Sequence, residues 1–159
     1  MRHPKLGMNL IAIEVIDAFA AEANTTPAIT LRAGNAIDDY DQPLPFDEEI
    51  DRVTDEYLNH YSSGIRYLDP VSFRHYLPHL IEFALRHLQQ GSNVGDSLID
   101  NLRPPDHEPP RLASLSEEQE AVVVRFLDAL AFSEASAHKE AALQALEEWW
   151  APGALYRRA

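Results

Sequence analysis

The sequence predicts a mainly α fold, a compact irregular bundle of about five helices, on three observations. Asp69-Pro70 is a helix start, because an N-cap carboxylate accepts from an orphan amide and Pro at the first helical position gives up no bond. Ser116-Glu117-Glu118-Gln119 has the Ser-x-x-Gln form of a capping box. Between such starts, apolar residues recur near the 3.6-residue period.

Taken in order, residues 9–23 read as the first helix, with Ala12, Ile16, Phe19, Ala20 and Ala23 inward, closed by Asn24-Thr25-Thr26-Pro27. The stretch from Ala28 to Tyr40 is the least regular. Ile29-Thr30-Leu31 has the composition of a minor strand near 29–31, and Gly34-Asn35 is turn chemistry. Pro43 and Pro45 extend the backbone into a second helix capped by Asp47, whose stripe is Phe46, Ile50, Val53, Tyr57, Leu58 and Tyr61. Ser62-Ser63-Gly64 stops it, with Gly64 free to turn left-handed.

The third helix runs from Asp69-Pro70 through Leu88 towards Gly91, with Phe73, Tyr76, Leu77, Leu80 and Ile81 expected in the core. Pro78 interrupts it, removing one backbone bond, so a kink or a break is expected within a turn. Residues 92–114 then form a proline-rich connecting strap that holds at most a short helix over Asp96–Leu102, with any helix across Arg103–Pro110 disfavoured. From Ser116 to Trp150 no Gly or Pro intervenes, so one long helix and two abutting helices fit equally. Adjacent Trp149 and Trp150 cannot share one face, and at least one is expected to pack on the C-terminal tail or on the strap.

At 159 residues the chain fits a single helical domain over 1–159, long enough to bury roughly 70% of its unfolded surface. No apolar run approaches the roughly 20 residues that span a bilayer, and the N-terminus reads as a helix start, so no membrane partner is expected. The absence of Cys removes disulfides and thiolate chemistry and fits a cytoplasmic location. A formal net charge of -13 repels phosphate backbones and argues against nucleic acid. The charge concentrates between Asp38 and Glu56, where Arg52 alone opposes nine carboxylates. Such a face is ordinarily only solvated; its alternative use is to dock a basic protein partner. With Ile50, Val53, Tyr57 and Tyr61 inward, the expected docking residues are Glu48, Glu49, Asp51, Asp55 and Glu56. Asp51 and Asp55, four apart, would then repel by a few tenths of a kcal/mol.

His75, His79 and Glu82 share a helical face by spacing and could offer a metal two imidazoles and a carboxylate, with His60 joining if the helices cross. The plainer reading is a polar face on which Arg86 pairs with Glu82. No nucleophile elbow, EF-hand spacing, Glu-x-x-His pair or Gly-rich phosphate loop is present, so no catalytic residue and no cofactor is assigned.

Leu68-Asp69-Pro70-Val71-Ser72-Phe73-Arg74-His75-Tyr76-Leu77-Pro78 resembles the Leu-x-Pro-x-x-Phe-Arg-x-Tyr-Leu-Pro signature of an uncharacterised bacterial family of small domains of unknown function. Ile16-Asp17-Ala18-Phe19, Pro27, Asp38-Asp39-Tyr40, Leu115 to Gln119 and Phe126-Leu127 follow in the order such domains share, although Tyr57 and Tyr61 stand where a Trp is common. The resemblance implies no catalytic residues. The function expected is therefore a non-enzymatic, acidic cytosolic interaction module, with an inhibitor or immunity-like role as one concrete version. The alternative is a small metal-dependent enzyme using His75, His79 and Glu82.

Overall fold

The computed structural model describes residues 4–104 and 109–157. Among these the chain is helical and has no strand. The α-helices are α1 (Pro4–Ala18), α2 (Ala20–Ala23), α3 (Leu31–Asp38), α4 (Asp55–His60), α5 (Pro70–Arg86), α6 (Asn93–Asn101), α7 (Pro110–Ala113), α8 (Glu117–Phe132) and α9 (Lys139–Ala145). A 3-10 helix, Ser62–Tyr67, and a π-helix, Leu146–Trp150, complete the set. The segments outnumber the five helices expected, because short pieces cap and pin the long ones.

The centre of the molecule is α5. Asp69 caps it by accepting from the Ser72 amide at 3.3 Å, and Pro70 takes the first turn. Eleven of its seventeen residues are buried, among them Phe73, Tyr76, Leu77, Leu80 and Ile81. Of the kink or break expected at Pro78, the break does not occur: the helix runs through the proline and stops at Arg86, short of Gly91. Burial on several sides outweighs the ~3 kcal/mol that an interior proline costs a free helix. Helix α1 packs on α5 and on α8, antiparallel to α8 and tied to it by Gln119 Nε2 donating to the Ala18 carbonyl at 3.1 Å and by the ion pair of Arg125 with Glu14. The capping box is formed as read, with Ser116 Oγ and Gln119 Oε1 each accepting from the other's amide.

The inward stripe of α1 differs from the one expected. Val15 and Phe19 are fully buried, whereas Leu10, Ile13 and Ile16 are more than half exposed. The helix also breaks at Phe19 before α2. The minor strand near 29–31 is absent because Thr30 is an N-cap, its Oγ1 accepting from the Ala33 amide at 2.9 Å, and Leu31 opens α3. Gly64 is not a left-handed stop either. It lies inside the 3-10 helix and faces Gly34 so closely that a Cβ on either would overlap the other segment's backbone. That contact locks α3 onto the 3-10 helix.

Among its described residues the strap is largely helical. Ser92 caps α6 through the Gly95 amide at 3.0 Å, and Pro109-Pro110 opens α7. Residues 103, 104 and 109 are non-helical, as expected for that run, and 105–108 lie outside the described residues. The open choice over 116–150 resolves into two helices and a π-turn, with residues 133–138 between α8 and α9, where the Ala137 amide donates to the Leu88 carbonyl at 3.0 Å. The wider π-turn, closed by Ala151 N–H on the Leu146 carbonyl at 2.8 Å, buries both tryptophans. Trp150 Nε1 donates to the Leu102 carbonyl at the end of α6, and Trp149 lies under the Arg157 guanidinium of the tail.

Candidate functional site

The acidic stretch does not form the helix expected from Asp47. Asp47 Oδ1 accepts from the amides of Glu49 and Ile50, at 2.9 and 3.1 Å, and so closes a turn. The helix α4 starts only after Thr54, whose Oγ1 accepts from the Tyr57 amide. Periodicity therefore has no hold on residues 46–53: Ile50 is 54% exposed, Phe46 is exposed, and Asp51 is the side chain that turns in.

Asp51 is the correction that matters most. Its carboxylate is fully enclosed and holds four donors. Arg32 Nε and Nη2 donate at 3.0 and 2.9 Å, the Tyr57 hydroxyl at 2.7 Å and the Asp47 amide at 2.8 Å. Burial pushes the Asp51 carboxyl up, but the Arg32 guanidinium and the other donors outweigh it and hold it below the usual carboxylate range. The Tyr57 hydroxyl is pushed well above its ordinary value, first by burial. Asp51 is thus an anchor, not a docking residue, and the expected repulsion with Asp55 is replaced by two separate ion pairs. Asp55 receives a bidentate contact from Arg86, at 2.7 and 2.9 Å, which holds its carboxyl low. Glu48, Glu49 and Glu56 are exposed as expected.

Every residue from Asp38 to Ile50 is exposed, and the run holds six carboxylates and no basic side chain. It is nonetheless held at several points. Arg32 Nη2 donates to the Pro45 carbonyl at 3.2 Å, and the Tyr67 hydroxyl donates to Asp38 at 2.8 Å. At its start, α3 ends in a Schellman motif: the Asp41 amide bonds to the Ala36 carbonyl at 2.7 Å and the Tyr40 amide to the Ile37 carbonyl at 3.1 Å. Tyr40 occupies the left-handed position, φ 60°, where glycine normally stands, and its side chain is 99% exposed. Leu44, Phe46 and Ile50 are exposed between the acids. Sequence reasoning missed Tyr40; the Ile37-Asp38-Asp39-Tyr40-Asp41 run lacks the Gly that normally marks this cap.

The His75, His79 and Glu82 constellation does not assemble. His75 Nδ1 is 3.0 Å from the Glu22 carbonyl, the two imidazole centroids are 6.2 Å apart, and Glu82 accepts from Arg86 Nε at 2.6 Å, the plainer pairing. Burial lowers the pKa of both histidines, with His75 adding to the effect at His79. His60 is exposed, its ring edge-on to Tyr61. Among the described residues no group of three or more His, Asp or Glu side chains is placed to hold a metal ion, and no helix is long and apolar enough to cross a membrane. A cleft of about 680 Å³ opens between α1, the end of α5 and the α8–α9 connection, and of the residues named above for docking or metal binding only Glu82 lines it.

No curated protein and no solved structure matches the chain. A family profile covers residues 9–154, which takes in the buried Phe73–Pro78 segment, the capping box, the Asp51 anchor and the tryptophan pair. The chain belongs to the Family of unknown function (DUF6714).

Proposed function

We propose that this chain is a non-enzymatic protein-interaction module of the cytoplasm, and that the exposed run from Asp38 to Ile50 docks a basic partner, with an inhibitor or immunity-like role as one version. Tyr40 carries the reading. A non-glycine residue in the left-handed region costs of order 1 kcal/mol, and this one returns no packing because its ring is wholly in water. An aromatic whose backbone is fixed by the cap hydrogen bonds and whose ring is presented to solvent at a cost, among carboxylates, suits an interface anchor. Leu44, Phe46 and Ile50 extend the apolar contact, and Asp47, Glu48 and Glu49 supply the field that attracts cations. The partner this fits has an apolar slot rimmed by Lys or Arg.

Capture from an extract of the source cells tests it. Wild type is expected to retain a protein of high isoelectric point that Tyr40→Ala with Phe46→Ala loses, and that Glu48→Lys with Glu49→Lys also loses. Tyr40 is 99% and Phe46 38% exposed, and Glu48 and Glu49 are exposed, so an unfolding curve for each variant that overlays wild type separates lost binding from lost folding. Equal retention by all three chains would reject this surface.

A further inference from the structure

The cleft beside α1 is a second, unassigned site, and we infer that it takes a small amphipathic cation: an apolar body ending in an ammonium or guanidinium group. Its volume of about 680 Å³ lies within the roughly 300–1,000 Å³ range of small-molecule sites. Met8, Ala12, Leu85, Leu88 and Ala135 provide an apolar lining from three separate elements. Asn9, Gln89, Gln90 and Ser133 add hydrogen-bonding groups.

Charge selects the sign of the ligand. Two carboxylates, Glu82 and Glu134, line the cleft against one guanidinium, Arg86, and one imidazole, His87, whose ring lies against Phe83 with centroids 4.3 Å apart. Arg86 is already spent: Nη1 and Nη2 bond Asp55, and Nε bonds Glu82. Glu134 has no ion-pair partner among the described residues, so the uncompensated carboxylate of the described lining is Glu134. An anionic head would meet Glu134 and, among the described lining residues, no free guanidinium or ammonium; an ammonium meets Glu134 and the amide oxygens of Gln89 and Gln90 while its chain covers Leu85 and Leu88. The Lys or Arg of a peptide next to an apolar side chain carries the same chemistry as a free alkylamine.

The test is an amide chemical-shift titration of the whole chain with n-octylammonium, n-octanol and n-octanoate at pH 7.5. Octylammonium is expected to bind most tightly, shifting amides of residues 85–90 and 133–135. Glu134→Gln should weaken it about three- to five-fold and leave octanol unchanged. A parallel arm with acetyl-Leu-Leu-Arg-amide separates the sources: tighter binding of the peptide assigns the cleft to a protein segment, tighter binding of the alkylamine to a free small molecule. Octanoate binding as well as octylammonium, equal affinity for the Glu134→Gln chain, or shifts confined to other regions would overturn the proposal.

Discussion

Asp51 and its neighbours Glu48 and Glu49 share a charge and little else. With four donors on an enclosed carboxylate, Asp51→Ala leaves the Arg32 guanidinium without its counter-ion and the Tyr57 hydroxyl without its acceptor. Breaking such a pair costs about 3 kcal/mol or more, whereas Glu48→Gln with Glu49→Gln should stay within about 0.5 kcal/mol of wild type; urea unfolding reads both. Tyr40 behaves in the opposite sense. Tyr40→Gly relieves the left-handed backbone and should stabilise by about 1 kcal/mol while abolishing partner capture. A destabilised Tyr40→Gly chain would mean that the ring packs on something. The histidines set a pH response. Folding lowers the pKa of His75 and His79, so the folded state binds fewer protons than the unfolded chain and loses stability as pH falls below about 6.5. Asp51 and Asp55, held low, add a second loss below about pH 4. Stability measured from pH 7 to 5 should therefore decline, and His75→Gln with His79→Gln should flatten that slope.

The tightest junction at the scale of elements is between α3 and the 3-10 helix, where Gly34 and Gly64 let two backbones touch. Gly34→Ala forces them apart and should cost about 3 kcal/mol, while Gly91→Ala, which meets open space, should be near neutral. Thermal or urea unfolding of the two variants decides whether the contact matters. Phe73→Ala, which also removes the ring under the Arg111 guanidinium, should cost about 4 kcal/mol. These elements differ in how far the sequence betrays them. Asp69-Pro70 and Ser116-x-x-Gln119 are local hydrogen-bond devices, and both appear in the structure where the residues put them. The stripe of α1 is misread because that helix is apolar nearly all round, so periodicity does not say which side is inward. Thr30 is a cap hidden among β-branched neighbours, and Gly34 looks like a turn residue until Gly64, thirty residues on, is known to face it. The continuity of α5 through Pro78 depends on burial from several sides, which no local pattern contains.

The whole molecule carries a formal net charge of -13, and among the described residues most arginines are spent in ion pairs while Asp39, Asp41, Glu48, Glu49 and Glu56 face outward. That division explains why the candidate surface was only partly legible. The run of acids is plain in the sequence, but which carboxylate anchors depends on Arg32, and which aromatic is presented depends on how α3 ends. The exposed run is proposed to dock a basic partner through its charge and its aromatics. The most direct measurement is the association rate constant of the captured partner, followed against ionic strength, for wild type and for Glu48→Lys with Glu49→Lys. Electrostatic docking gives a rate that falls steeply between about 50 and 300 mM salt, and a variant about ten-fold slower at low salt that converges with wild type at high salt. Association rates that are equal in the two chains and indifferent to salt would contradict it.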